Sequence, residues 1–252
     1  MVSAGRVSEA RSMLLDGPVE VGPEGPEWDR AGELVRGGGT ALLYAPLERL
    51  RAGKAAVPPC AGGGLRAGLV SATEREQYEG ARALLERLAC AVRGDGTGRV
   101  EWGVAGRPVL AGCEGVDVAV SCAEGIVLVG ASGAGLIGVD VERTDRMLYG
   151  SGAGRRVCTP YELVSLAKLA PPERDAELAR LWTLKEAYRK AVGWGAGFPF
   201  GQFGFGPDGR PVRVQRPDGT AARGEEWEFR SAELPGGFRM GAALFTPRGA
   251  AA

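Results

Sequence analysis

The sequence predicts an α+β protein built from two similar halves. Three observations carry that expectation. Helical periodicity starting at Ser71 is followed by several short strand-like segments, and the same order returns after Thr159. A short stretch repeats, with Gly103-Val-Ala-Gly106-Arg107-Pro108-Val109 paralleling Gly206-Pro-Asp-Gly209-Arg210-Pro211-Val212. The 252 residues suit one large domain or two small ones, and they suffice to bury a core.

The first half is assigned residues 1–132. Residues 1–64 are rich in Gly and Pro and are expected to be loop-dominated, with a strand at Ala41–Tyr44. Ser71-Ala-Thr-Glu74 has the spacing of a capping box, and Tyr78, Ala81, Leu84, Leu85, Leu88 and Val92 follow at helical spacing. Strand-like runs then come at Val100–Val104, Pro108–Ala111, Val116–Ser121 and Ile126–Val129. The second half, 133–252, opens with a strand at Leu136–Val141. Thr159, Pro160 and Glu162 mark a helix start as N-cap, N1 and N3. A second helix is expected over Glu173–Val192, closed near Gly193 and Gly195. Strands follow at about Phe203–Phe205, Val212–Gln215, Trp227–Ala232 and Arg239–Phe245. The two Gly-Arg-Pro turns each lie 20 residues after a helical position, Ala83 and Glu186, which reads as a duplication. The halves would join near Ser132–Leu136, with a cleft between them as the natural ligand site.

Composition excludes whole classes of chemistry. Lys plus Arg is 31 and Asp plus Glu is 31, so the net charge is zero and neither nucleic acid nor a membrane surface is an expected partner. There is no histidine, which removes Ser–His–Asp and Cys–His nucleophile pairs and every His-ligated metal site. The five cysteines (60, 90, 113, 122, 158) are odd in number without a C-x-x-C, against a disulfide framework or a four-Cys zinc site. No apolar run reaches the roughly 18 residues of a membrane span, and the start lacks a signal-peptide core. A cytoplasmic protein is expected. What remains is chemistry run on carboxylates, lysine and a hard cation.

Two stretches supply it. Gly133-Ala-Gly135-Leu-Ile-Gly138 matches the dinucleotide pattern G-x-G-x-x-G, but its glycines run into a strand instead of opening a helix, so that reading is rejected. The following Gly138-Val139-Asp140-Val141-Glu142 puts two carboxylates on one strand face and two valines on the other. Alone, it could be a solvated strand end. Leu181-Trp182-Thr183-Leu184-Lys185-Glu186-Ala187-Tyr188-Arg189-Lys190 sets Glu186 and Lys190 on one helix face, one turn after Trp182. Alone, it could be a surface ion pair beside a core Trp. Yet lysine occurs only at 54, 168, 185 and 190, and a lysine is a compact charge suited to a phosphate oxygen. Together these residues form a hard-metal, phosphate-handling set, with Mg²⁺ first and Mn²⁺ as an alternative. The carboxylates alone would equally allow another Mg²⁺ phosphotransferase or a pyrophosphatase.

G-V-D-V-E followed about 40 residues later by W-T-L-K-E-A-Y-R-K resembles the signature of the 4′-phosphopantetheinyl transferases, and the two-half layout resembles their Sfp-like group. The resemblance implies that family's α+β fold: two pseudo-twofold-related halves, each an antiparallel sheet packed on a long helix. It implies Mg²⁺-dependent transfer of 4′-phosphopantetheine from coenzyme A to a serine of an acyl or peptidyl carrier protein, releasing adenosine 3′,5′-bisphosphate. A monomer is expected, and the Gly-, Ala- and Arg-rich composition is associated with polyketide or nonribosomal peptide synthesis, while the sequence does not show which carrier protein or pathway is served. By position, Asp140, Glu142 and Glu186 would hold the metal. Glu186, or a water it orients, would take the serine proton, and Lys190 would neutralise the pyrophosphate. Coenzyme A would be bound by Arg82, Arg107, Pro108, Ser121, Cys122, Asp140, Lys185 and Lys190. Arg155 and Arg156, near Met147, Leu148 and Tyr149, would contact the carrier. One position departs: the family has His where this chain has Cys122. A thiol carries no positive charge when protonated. The alternative is therefore a non-catalytic coenzyme A or carrier-protein binder.

Overall fold

The structure, a computed structural model, describes residues 17–52, 71–103, 106–146, 149–195 and 197–247. Lys54, Cys60, Val104, Ala105, Met147 and Leu148, named above, lie outside the described residues. The chain forms two compact units. One runs through Val120 and takes in Glu124–Gly135; the other comprises Ser121–Ala123 and everything from Leu136 onward.

The first unit opens with β1 (Val19–Glu20), α1 (Pro26–Arg36), β2 (Thr40–Pro46) and α2 (Leu47–Ala52). Over residues 17–52, the described part of 1–64, the expectation of a loop-dominated segment is corrected. Pro26 sits at the start of α1, where its missing N–H is harmless, and Trp28, Ala31 and Val35 give the helix one buried face. Gly32 lets α1 cross a long helix further along the chain closely, since a Cβ there would lie 2.2 Å from the Ala91 carbonyl oxygen. That helix, α3 (Ala72–Arg93), starts where the sequence places it: Ser71 Oγ accepts the Glu74 N–H, and the Glu74 carboxylate accepts the Ser71 N–H. Gly94, in the left-handed region at φ +74°, ends it. The hairpin β3 (Val100–Trp102) and β4 (Pro108–Leu110) follows, then β5 (Asp117–Ala123) and β6 (Ile126–Ser132). The sheet order is β1-β2-β6-β5, with β2 and β6 antiparallel and only a two-residue parallel pairing of β1 on β2.

The second unit contains β7 (Leu136–Arg143), the short helices α4 (Ala153–Val157) and α5 (Pro160–Leu166), and the 22-residue α6 (Pro171–Val192). After them come the hairpin β8 (Gly204–Phe205) and β9 (Pro211–Val212), then β10 (Trp227–Leu234) and β11 (Phe238–Phe245). β10, β11 and β7 make an antiparallel sheet in that order, under α6. The core gathers around Tyr188, whose ring stacks on Phe203 at 4.2 Å and meets Trp227 edge-on at 4.7 Å. The molecule is thus a mixed α+β protein in which each unit sets a mainly antiparallel sheet beside one long helix.

The sequence repeat is a structural repeat. In the first hairpin Gly103 N–H donates to Arg107 O at 2.8 Å and Gly106 N–H to Gly103 O at 3.2 Å, with Gly106 at φ +75°. In the second, Gly206 N–H donates to Arg210 O at 2.8 Å and Gly209 N–H to Gly206 O at 3.0 Å, with Gly209 at φ +74°. Pro108 and Pro211 each begin the return strand. The equal helix-to-turn distance needs correcting. Gly103 comes 10 residues after the end of α3, whereas Gly206 comes 14 after the end of α6.

Candidate active site

Two glycines bring α6 down onto the sheet. A Cβ on Gly138 of β7 would lie 1.9 Å from the Ala187 carbonyl oxygen. One on Gly241 of β11 would lie 2.4 Å from the Thr183 carbonyl carbon. Both residues lie under α6, and Gly241 is the register partner of Asp140. The residues at 138, 140 and 142 alternate with Ile137, Val139 and Val141, all buried. Asp140 and Glu142 therefore share the face of β7 on which α6 rests.

Asp140 is buried at 7% exposure, so it is not a solvated strand end. Lys190 Nζ donates to Asp140 Oδ1 at 2.7 Å and to Val139 O at 3.0 Å. Ser121 Oγ donates to the same Oδ1 at 2.9 Å and accepts the Val141 N–H at 3.3 Å. Cys122 follows, its thiol pushed up to about 11 by burial, with the nearby Lys190 charge pulling the other way. The fold thus brings together Asp140, Lys190, Ser121 and Cys122, which are separate in sequence.

The remaining expected residues are placed differently. Glu186 does not pair with Lys190: its Oε2 accepts from Arg189 Nε at 2.9 Å and Nη2 at 2.6 Å, while Arg189 Nη1 donates to Trp194 O at 3.0 Å. Glu142 is half-buried, and its Oε1 accepts the Arg143 N–H at 2.9 Å. Among the described residues, no three His, Cys, Asp or Glu side chains lie close enough to hold a metal as placed. In kind, the donors suit a hard divalent cation: two carboxylates from one strand face and a third from the overlying helix, all oxygen, with no imidazole or thiolate required.

Lys185 is a correction. It is fully buried. Its Nζ donates to Val157 O at 2.7 Å, Glu162 Oε2 at 2.7 Å and Phe200 O at 3.2 Å, which uses all three of its protons. Burial lowers its pKa from the usual lysine value, and the Glu162 charge opposes that shift. Glu162 in turn accepts the N–H groups of Thr159 and Phe205. This pair ties α5 and β8 to α6 and belongs to the core, not to coenzyme A.

In the first unit Arg82 Nε donates to Glu86 Oε1 at 2.7 Å, one turn on along α3. Arg107 forks Asp117 through Nε and Nη2, the Nε bond being 3.2 Å, and Pro108 is buried behind it. In the second unit Arg155 and Arg156 form the exposed last turn of α4. Sequence reasoning missed Arg189 as the partner of Glu186, although an i, i+3 spacing carried that signal. It also missed Gly241 and Arg239, whose positions relative to Asp140 and Glu142 depend on strand register.

Comparison with known proteins agrees with the second unit. Residues 136–243 match the model of the 4′-phosphopantetheinyl transferase superfamily. No curated protein matches the chain. Among solved structures, the chain is similar to a holo-(acyl-carrier-protein) synthase from Bacillus anthracis str. Ames in complex with CoA (3′,5′-ADP). That similarity has 22% identity and a TM-score of 0.36, over 45% of this chain and 96% of that one. It is also similar to a holo-ACP-synthase from Plasmodium yoelii, at 13% identity and a TM-score of 0.33, over 44% and 92%. The matched segment begins at the first residue of β7 and ends within β11, so it spans Asp140, Glu142, Glu186 and Lys190. Residues 136–243 of this chain are a domain of the 4′-phosphopantetheinyl transferase superfamily.

Proposed function

We propose that the chain transfers 4′-phosphopantetheine from coenzyme A to a serine of an acyl or peptidyl carrier protein, with Mg²⁺, as a two-unit member of the Sfp-like group. The observation that carries this is the Lys190–Asp140 pair beneath α6, braced by Ser121, inside the family-matched segment. The repeated helix-and-hairpin arrangement supports the two-unit assignment.

Each residue has a task in this reading. Ser121 fixes the Asp140 carboxylate by one donated and one accepted hydrogen bond, so the acid is presented in one orientation. Lys190 offers its protons to the pyrophosphate as the P–O bond to adenosine 3′,5′-bisphosphate breaks, exchanging Asp140 for a phosphate oxygen. Glu186, released from Arg189, accepts the serine proton directly or through a water. Bound by Asp140, Glu142 and Glu186, Mg²⁺ would offset the charge that gathers on the pyrophosphate. Arg82, Arg107 and Pro108 are proposed to hold the nucleotide end. Arg155 and Arg156 are proposed to meet an acidic carrier surface. Their exposure supports this, as does that of Tyr161 and Val164 on α5, at 49% and 59%.

The assay is direct: incubate the chain with coenzyme A, Mg²⁺ and an apo carrier protein, and weigh the carrier. A gain of one phosphopantetheine on serine is expected, abolished in D140A. Cys122 favours a second reading, because its thiol stays uncharged at neutral pH where the resemblance expects an imidazole. Coenzyme A bound without any mass gain on the carrier would establish that reading, a binder without transfer.

A further inference from the structure

Arg239 carries a donor with no acceptor. It lies on the middle strand β11, directly opposite Glu142 on β7 and Glu233 on β10. One end of its guanidinium is taken, Nη2 donating to Glu233 Oε1 at 2.5 Å, and Glu233 itself is largely exposed. The Nε–H is buried and has no hydrogen-bond partner among the described residues. Buried donors are almost always satisfied in native proteins, so an orphan of this kind calls for an acceptor within its reach.

Glu142 is in the complementary condition. Its Oε1 accepts the Arg143 amide, and its Oε2 takes no hydrogen bond among the described residues. Directly opposed residues of an antiparallel pair share a face, with Cβ atoms about 4.5–5.5 Å apart. Rotation of the Glu142 side chain can therefore turn its carboxylate toward Arg239 across the strand pair. Gly241, opposite Asp140, presents no side chain. At this level Arg239 is what β11 offers to the carboxylate face.

We infer that Arg239 is a positioning residue for Glu142. When the Glu142 carboxylate leaves the Arg143 amide and turns toward Asp140, one oxygen accepts from Arg239 Nε and the other is left for the cation. Hydrogen bonds of this kind orient carboxylate ligands and raise metal affinity. The inference rests on the metal-dependent reading above.

The test is a Mn²⁺ titration of the full chain followed by electron paramagnetic resonance, with no turnover required. R239M should weaken Mn²⁺ binding at least about tenfold, and the same change in an E142A background should have no effect. R239K, which keeps the charge and the length to reach Glu233, goes through the same cycle if R239M fails to fold. Mn²⁺ binding by R239M within twofold of the wild type would overturn the assignment. So would an equal loss in both backgrounds, since that is what a merely structural role predicts. A wild-type chain that binds no Mn²⁺ at all defeats the metal reading, and this role with it; the other two outcomes defeat only the role of Arg239.

Discussion

Gly138→Ala should uncouple α6 from its sheet. The new Cβ would sit 1.9 Å from Ala187 O, 2.6 Å from Ala191 N and 2.9 Å from Ala187 C. Ordinary contact starts at 3.4 Å, so the helix backbone must withdraw by 3.4 − 1.9 = 1.5 Å at that point. All three obstacles are backbone atoms of the helix, not the far end of a flexible side chain. Relief therefore displaces Glu186 and Lys190 together, away from Asp140. The 2.7 Å Lys190–Asp140 contact opens, and the proposed catalytic groups are misplaced by about an ångström. Misplacement on that scale can reduce kcat about a hundredfold. Overpacking of this kind costs about 1–3 kcal/mol, which for a chain of this size lowers Tm by about 2–12 °C. Carrier loading followed by mass spectrometry reads the first quantity and calorimetry the second. Gly195→Ala is the control, because a Cβ there meets nothing within 4 Å. If G138A loads carrier within threefold of the wild type at unchanged Tm, the spacing argument is wrong.

Lys185→Met should destabilise the chain by about 3–5 kcal/mol, because it strands Glu162 as a buried, uncompensated charge, while the double change with E162Q should cost less than K185M alone; calorimetric Tm values decide. Burial pushes the thiols of Cys122 and Cys158 up to about 11 and about 12. Iodoacetamide at pH 8 should therefore leave both unmodified in the folded chain, and Cys122 should react only as pH approaches 11. Peptide mass mapping that finds Cys122 labelled at pH 8 would refute this. The sign for stability follows: a thiol held above its ordinary 9.0 in the native state makes folding less favourable as pH rises from about 9, so urea midpoints should fall there. R155E with R156E should raise the KM for an acidic carrier severalfold and leave the KM for coenzyme A unchanged; an unchanged carrier KM removes the contact.

What the sequence revealed follows from where local signals act. Ser71 with Glu74, and Thr159 with Glu162, announce helix starts because a capping box is a three-residue interaction. The paired Gly-x-x-Gly-Arg-Pro turns were legible because glycine at positive φ and proline at a strand start are local demands. Helix α1 escaped notice because Gly25, Pro26, Gly32 and Gly37 look like loop residues, although Gly32 serves a close helix crossing. Lys185 was misassigned for a different reason. Helix α6 buries residues on nearly every side, Leu181, Leu184, Lys185, Glu186, Tyr188 and Ala191 among them, so no polar stripe says which lysine faces a ligand. The Asp140–Gly241 and Glu142–Arg239 pairings depend on register across about 100 residues of chain, which no local pattern encodes.

The twin turns have diverged in how they hold their arginines. Arg107 is gripped by Asp117, whereas Arg210 stands 83% exposed, 3.7 Å from Asp208. One loop thus exists in a tightly tethered and a loosely tethered version within a single polypeptide. That makes an internal control available: grafting an aspartate opposite Arg210, or removing Asp117, would convert either copy into the other's condition while the backbone hydrogen bonds stay the same. Whatever activity follows the tether and not the loop can then be credited to a held guanidinium, with no second protein needed for the comparison.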